Sequence, residues 1–255
     1  LATLAYDGRR GEFFAGELVA ALRILQAGDI DNGHLVGSWA GAMGHTQFMP
    51  SSFLNHAVDF NGDGRRDIWS DDPTDALAST ASSLRQMGWR PGQPWGTEVI
   101  LPQGFDYGQT GKSVTRSGSQ WAALGVRAAN GMAVPSGSIL VPAGSRGPAF
   151  LITENFRAIL KYNASDSYAL GVAYLGEAIA GRSGIRGSWP RGDRPLSTTE
   201  KTEIQRQLNA RGFDTGGVDG KIGSQTSEAI KAYQRTRGVT ADGYADTRLL
   251  ALLRG

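Results

Sequence analysis

The stretch Gly37-Ser38-Trp39-Ala40-Gly41-Ala42-Met43-Gly44-His45-Thr46-Gln47-Phe48-Met49-Pro50-Ser51-Ser52 constrains this chain more than any other. Its glycines and proline exclude one uninterrupted helix. Where glycine replaces a side chain, another group can approach as closely as the backbone allows, so the run reads as the wall of a groove. Gln47 contributes an amide with donors and an acceptor, which suits a neutral polar ligand such as a sugar. On composition alone the same run also reads as a glycine-rich turn ahead of a helix stop at Pro50.

A chain of 255 residues has room for a medium domain followed by a small one. Its 26 basic and 24 acidic residues nearly cancel, and no block of positive charge is present to track a phosphate backbone, so nucleic acid is not an expected partner. No run approaches the roughly 18 apolar residues that span a bilayer, so no transmembrane segment is expected. Leu1–Ala5 is too short for the apolar region of a signal peptide. Without cysteine, disulfides and thiolate chemistry are excluded, and the compartment cannot be read from redox usage.

Phe14, Leu18, Leu22 and Leu25 recur at helical spacing and predict a helix over about residues 11 to 27, with Gly28 as its stop. Asp72-Pro73-Thr74-Asp75 gives a capping residue, a first-turn proline and an early carboxylate to a second helix carrying Leu77, Ala81 and Leu84 and closed by Gly88. Between about 97 and 153 the pattern changes to short β-like runs, among them Glu98–Leu101 and Ser138–Val141, which predicts a small β insertion. Helical spacing returns at Phe156, Ile159 and Leu160, then at Tyr168, Val172, Leu175 and Ile179. Residues 184 to 197 lie in a stretch without periodicity and read as a flexible linker. Ser197-Thr198-Thr199-Glu200 is a capping box that opens a helix bearing Ile204 and Leu208 and ending at Gly212. Two related units follow, each an Asp-Gly turn feeding a helix: Val218–Gly223 leading to Thr226, and Val239–Gly243 leading to Thr247. The fold class expected is α+β, mainly α, with domains at 1–183 and 198–255.

The run from Gly37 to Ser52 closely resembles the GSxAGAMGxxQFMPSS segment of the lytic murein transglycosylase B family, which cleaves the glycan strands of bacterial peptidoglycan. The segment from about 198 to 253 resembles the three-helix peptidoglycan-binding domain often appended to wall hydrolases. The resemblance implies a lysozyme-like helical transglycosylase domain with a β insertion, joined to a wall-binding module. It further implies cleavage of the MurNAc-GlcNAc bond with formation of a 1,6-anhydro sugar, a periplasmic or cell-envelope location, peptidoglycan strands as partner and a monomeric chain. In the family one glutamate serves as general acid and then general base, the substrate's own hydroxyl replacing water. Its position falls before Leu1, so 1–183 reads as N-terminally truncated and the chain by itself as inactive; Glu12 and Glu17 are the nearby glutamates, and Glu17 reads as a solvated surface carboxylate. The alternative is a non-catalytic wall-binding protein.

Carried over by the resemblance, Arg9 and Arg10 match an arginine pair in the substrate groove, where guanidiniums can grip carboxylates or sugar oxygens. Ser38, Met43, Gln47 and Phe48 align with groove residues that bind or stack on sugar rings, and Tyr162 and Tyr168 match two tyrosines that face the active site. For Tyr168 a core role beside Val172, Leu175 and Ile179 is equally open. Ser83 departs from the family, where an aromatic is expected, so one stacking platform is lost or moved.

Asp59-Phe60-Asn61-Gly62-Asp63-Gly64-Arg65-Arg66-Asp67 fits the first part of an EF-hand loop, with glycine at the sharp turn, Arg65 where a backbone carbonyl serves and Asp67 at the ninth position. Ser70 stands where a bidentate glutamate belongs, so a later carboxylate among Asp71, Asp72 and Asp75 is required; the resemblance implies Asp75. A structural Ca2+ ion and no organic cofactor are therefore expected. The competing reading is a metal-free loop in which Asp72 and Asp75 serve as helix caps.

Overall fold

The computed structural model describes residues 1–8 and 10–255; Arg9, one of the candidate groove residues, lies outside the described residues. The chain divides into two compact units, Leu1–Arg90 and Pro91–Gly255.

The first unit holds α1 (Ala2–Tyr6), α2 (Gly11–Ala27), α3 (Pro50–His56) and α4 (Thr74–Gln86). Helix α2 has the expected bounds, and Gly28 closes it in the left-handed conformation at φ 80°, its N–H bonded to the Leu25 carbonyl. The buried face differs from the expected stripe. Phe14, Glu17, Ala20, Ala21 and Ile24 turn inward, while Leu22 is 57% exposed. A buried carboxylate decides the rotation, because Glu17 finds hydrogen-bond donors only on the inner side. Pro50 opens α3 instead of stopping a helix; at the first helical position its missing N–H would have had no partner anyway. Helix α4 likewise buries a mostly polar face of Asp75, Ala76, Ser79 and Ser83, leaving Leu77 outside. The Ser79 hydroxyl accepts the Val58 N–H at 3.0 Å, which is why a polar side chain suits that depth.

In the second unit the expected β insertion forms as one antiparallel sheet of β1 (Gly96–Ile100), β2 (Thr115–Arg116), β3 (Arg127–Ala128), β4 (Gly137–Leu140) and β5 (Ala149–Ile152), in the order β2-β4-β5-β1-β3. A short helix, α5 (Gly118–Ala123), drops Trp121 onto the sheet against Val99, Ile139 and Leu151. The indole N–H donates to the Gly137 carbonyl at 2.9 Å, so the largest buried side chain leaves no orphan donor. Helices α6 (Glu154–Tyr162) and α7 (Asp166–Ile179) follow. Helix α7 buries Ala169, Leu170 and Ala173, and its stripe Tyr168, Val172, Leu175 and Ile179 lies on the exposed side, so Tyr168 has no core role in this arrangement.

The C-terminal segment forms α8 (Thr198–Ala210), α9 (Ser224–Thr236) and α10 (Thr247–Arg254) around Ile204, Leu208, Ile230, Tyr233, Leu250 and Leu253. The Ser197–Glu200 capping box is present in both directions.

The stretch 184–197 has no regular structure, as expected, yet it is fastened. Glu98 on β1 accepts the N–H groups of Arg186 and Gly187 at 2.7 and 2.6 Å, Arg186 donates to the Ala129 carbonyl at 2.7 Å, and Trp189 packs on Phe150. The helical segment beyond is also held against the sheet's loops. Arg146 bridges Asp193 and Asp246, the latter at 2.7 Å, and Asp242 accepts both the N–H and the hydroxyl of Ser145 at 2.9 and 2.8 Å. The Asp193 carboxyl is held below its ordinary value by the Arg146 hydrogen bond, then by its charge. A group with a lowered folded pKa stabilises the folded form above its unfolded pKa and loses that contribution as pH falls through the folded value. The 184–197 stretch is therefore expected to resist cleavage at neutral pH and to become sensitive below the usual aspartate range, with Arg146→Ala sensitive throughout. Limited proteolysis with an acid-tolerant protease checks this; a wild-type stretch cut equally fast at neutral and acid pH would count against it.

Candidate functional site

The run from residue 37 to 52 folds as a knot of short-range contacts. Ser38 N–H donates to the Ala42 carbonyl at 2.7 Å, and the Ser38 hydroxyl accepts the Ala42 N–H at 3.1 Å. Met43 N–H donates to the Phe48 carbonyl at 2.8 Å, and His45 N–H to the Ile68 carbonyl at 2.8 Å. The glycines serve these contacts. A Cβ on Gly44, whose φ is 55°, would stand 2.4 Å from the Ile68 carbonyl oxygen, and one on Gly37 would stand 2.8 Å from that of Ala42. The close approach predicted for a ligand is thus made, at both positions, by the chain itself.

What the run offers outward is Ser38, Trp39 and Gln47. Trp39 is 86% exposed. Gln47 adopts φ 52°, which a non-glycine residue rarely does, and its amide donates to the Gly44 carbonyl at 2.8 Å, leaving the side-chain oxygen on an exposed residue. Met43 and Phe48 are buried, Phe48 edge-on to His56, so their part is packing and Phe48 presents no open face to a sugar. Arg10 is exposed at the N-cap of α2, with its guanidinium 4.3 Å from the Phe13 ring centroid. Tyr162 is half-buried at the end of α6 and Tyr168 is exposed near the start of α7, both in the second unit. Ser83 is fully buried, so no stacking platform stands at that position.

Two residues that organise this region escape sequence reading. Glu17, expected in solvent, is buried and accepts the Ser51 N–H at 2.9 Å and the Ser51 hydroxyl at 2.7 Å, fixing the start of α3 directly after Phe48. Asp29 is buried and accepts three hydrogen bonds from Arg66, the shortest at 2.6 Å from the guanidinium. Their partners lie more than thirty residues away, and no local pattern marks such a pair.

Asp29 thereby pins one end of the acidic loop. Carboxylate oxygens of Asp59, Asp63 and Asp75 lie within 4.8 Å of one another, which brings three negative charges together as a divalent cation requires. Asp75, 2% exposed, accepts N–H groups from Phe60 at 2.9 Å and Asp67 at 3.0 Å, so it folds the loop as well as facing its centre. Asn61 reaches Asp63 at 3.2 Å, and the Arg65 N–H donates to Asp63 at 2.9 Å. Asp67 turns instead to the N–H groups of Trp69 and Ser70 at 2.8 and 3.1 Å. Arg66, whose charge would oppose a cation, is held away by Asp29. Asp72, the other expected cap, accepts from the Thr74 hydroxyl and N–H, which hold its carboxyl below the ordinary aspartate value.

A mainly helical, lysozyme-like body with a small curled sheet, followed by a three-helix segment, defines the class of cell-wall transglycosylase folds. The chain belongs to the transglycosylase SLT domain family, whose model matches residues 1–177, and a peptidoglycan binding domain model matches residues 198–253. It is 38% identical over 188 residues to the membrane-bound lytic murein transglycosylase B of Escherichia coli (strain K12), covering 71% of this chain and 50% of that protein. The chain therefore spans half the length of that curated relative. The crystal structure of SltB3 from Pseudomonas aeruginosa in complex with NAG-anhNAM-pentapeptide superposes with a TM-score of 0.95 at 52% identity, over 100% of this chain and 69% of that one. The Escherichia coli lytic transglycosylase Slt35 in complex with calcium superposes with a TM-score of 0.57 at 35% identity, over 70% and 57%.

Gly44→Ala is expected to lower stability by at least about 2 kcal/mol, since it combines a strained φ with overlap on a backbone oxygen that cannot swing away. Glu17→Ala should cost about 1–3 kcal/mol by leaving the Ser51 donors without their acceptor. Denaturant titration of each variant checks both values; loss below about 0.5 kcal/mol for either would mean that the contact is dispensable.

Proposed function

We propose that this chain belongs to a peptidoglycan lytic transglycosylase, acting on the MurNAc-GlcNAc bond with a 1,6-anhydro product, and located in the periplasm or cell envelope. The observation that carries the reading is the pairing, in one chain, of the transglycosylase match over 1–177 with the wall-binding match over 198–253. The SltB3 complexes with NAG-anhNAM-pentapeptide and NAG-NAM-pentapeptide support it, because those ligands are product-like and substrate-like for such a cleavage.

In this reading Ser38 and Gln47 hydrogen-bond the glycan and Arg9 and Arg10 meet its carboxylates or ring oxygens; Tyr162 and Tyr168, on the second unit, are proposed as glycan contacts from the family resemblance alone. No catalytic residue is assigned within the 255 residues. Both Glu17 oxygens are committed to Ser51, which keeps that carboxylate in a structural post, and Glu12 stands exposed on α2. A Ca2+ ion would be held by Asp59, Asn61, Asp63, Asp75 and the Arg65 carbonyl, and it would neutralise the converging carboxylates.

Incubated with purified sacculi, the 255-residue chain is expected to bind and to release no 1,6-anhydro muropeptides, whereas a form extended at its N-terminus with a relative's glutamate-bearing segment is expected to release them, as read by mass spectrometry. Anhydro products from the 255-residue chain would place the acid inside it. An extended form that binds and never cuts would favour the wall-binding alternative.

Chelation is expected to lower the melting temperature and millimolar calcium to restore it, since an ion bound only to the folded state stabilises by mass action. Asp63→Ala should abolish that response. A melting temperature indifferent to chelator and calcium would remove the ion from the proposal.

A further inference from the structure

The chain holds three Asn-Gly pairs, Asn32-Gly33, Asn61-Gly62 and Asn130-Gly131, and all three are exposed. Such a pair can modify itself. The glycine nitrogen has no Cβ beside it and can close on the asparagine side-chain carbonyl, provided that the side chain is free to swing over its own backbone. Exposure does not separate the three pairs, and neither does the glycine N–H, which has an acceptor in each: Asp31 Oδ1 at 2.8 Å for Gly33, Asp59 Oδ1 at 2.7 Å for Gly62 and the Ala128 carbonyl at 3.1 Å for Gly131. The side chains are what differ.

Asn61 is held at both ends of its amide, donating to Asp63 Oδ2 at 3.2 Å and accepting the Asp63 N–H at 3.0 Å. Asn130 accepts the Met132 N–H at 3.0 Å. Asn32 makes no side-chain hydrogen bond among the described residues. Its neighbours Asp31 and His34 are paired with each other at 2.6 Å, so neither ties it down. Of the three asparagines, only Asn32 can bring its carbonyl carbon over the following nitrogen without first breaking a bond.

We infer that Asn32 is a self-modification site, at which the folded chain loses the side-chain amide as ammonia and gains a carboxylate, while Asn61 and Asn130 are preserved. The Gly33 nitrogen bonds to Asn32 Cγ as the bond from Cγ to Nδ2 breaks. The proton of the Gly33 N–H goes to the Asp31 carboxylate that already accepts it and then, by way of water, to the departing amide nitrogen, which leaves as ammonia. A cyclic imide remains, and water opens it at either carbonyl. Opening at the side-chain carbonyl leaves an aspartyl peptide. Opening at the backbone carbonyl leaves an isoaspartyl peptide, whose chain runs through the side-chain carbon and is longer. The turn is anchored on either side, by the buried Asp29 on Arg66 and by the Val36 carbonyl, which accepts the Trp69 indole N–H at 2.9 Å. The added charge and length therefore fall between two fixed points, directly ahead of Gly37 and Ser38.

The test holds the folded 255-residue chain at neutral pH and physiological temperature and follows each Asn-Gly pair by peptide mapping with mass spectrometry, isoaspartate being read by labelling with an isoaspartyl methyltransferase. Asn32 is expected to convert at least about tenfold faster than Asn61 or Asn130, since each of those must first release a side-chain hydrogen bond. In concentrated urea, where those bonds are gone, the three rates should converge. Gly33→Ala should slow conversion at Asn32 severalfold and leave the melting curve little changed, because Gly33 lies outside the left-handed region and a Cβ there meets only Asp31 Oδ1, at 3.2 Å. An unaltered rate in Gly33→Ala would exclude attack by that nitrogen. Conversion of Asn61 or Asn130 at the Asn32 rate in the folded chain would overturn the inference. So would an Asn32 that persists in the folded chain while converting in urea, since the fold would then protect it.

Discussion

A carboxylate set among backbone N–H groups is the interaction on which both units depend. Long irregular stretches leave backbone donors that regular structure does not satisfy, and burying them unpaired costs about as much as a lost hydrogen bond each. Asp75 gathers the amides of Phe60 and Asp67 from inside α4, Glu17 gathers that of Ser51 from inside α2, and Asp29 takes the Arg66 amide together with its guanidinium. In the second unit Glu98 holds Arg186 and Gly187, and Asp242 holds Ser145. Each carboxylate is rigidly placed by a helix, strand or turn, and each fixes a loop that lacks structure of its own. An ionised acceptor makes a hydrogen bond about twice as strong as a neutral one, which suits a post where one residue must restrain several.

This device explains what could and could not be read in advance. Helix boundaries were legible wherever the signal is local: Gly28 after α2, the Ser197–Glu200 box before α8, the Asp-Gly turns ahead of α9 and α10. Helix faces were not. The stripes read from Leu22 in α2, Leu77 in α4 and Leu175 in α7 point outward, because in α2 and α4 a carboxylate with distant partners claims the inner side and in α7 small residues, Ala169 and Ala173, form the packed face. Periodicity reports that a helix has an apolar side; it carries no information about a partner thirty residues away. The short apolar run Ala149–Ile152, the fully buried central strand of the sheet, gave no separate signal because four apolar residues fit a buried helix as well as a strand.

The candidate site was legible in a similar mixture. The run from Gly37 to Ser52 leaves Ser38 and Gln47 exposed, where a polar ligand can reach them. The physical role assigned to its glycines was different from the one they have. Gly37 and Gly44 make room for carbonyls of Ala42 and Ile68, so the run is shaped first by its own closure, and its exposed groups are what that closure leaves over. Gln47 illustrates the result: a left-handed φ and an amide bonded to Gly44 hold its side chain in one orientation, so little rotamer freedom remains to be lost on binding.

The fastening of residues 184–197 changes what attachment means for the C-terminal segment. A flexible tether raises the local concentration of a second binding partner over a broad range of geometries, and the gain falls as the tether lengthens. Here Glu98 and Arg146 hold the connecting stretch and the segment beyond it against the sheet, so the orientation of α8–α10 relative to β1 and the sheet's loops is set by contacts within the chain. A preset geometry avoids the ordering cost of a loose linker but rewards only those ligands whose own spacing matches it. A polymer of regular repeat, such as a glycan strand, satisfies that condition at many positions along its length, whereas an irregular partner meets it rarely. The fastening is made entirely within the chain, by Glu98 on β1 and by the Arg146 bridge to Asp193 and Asp246, so it is in place whether or not a ligand is bound.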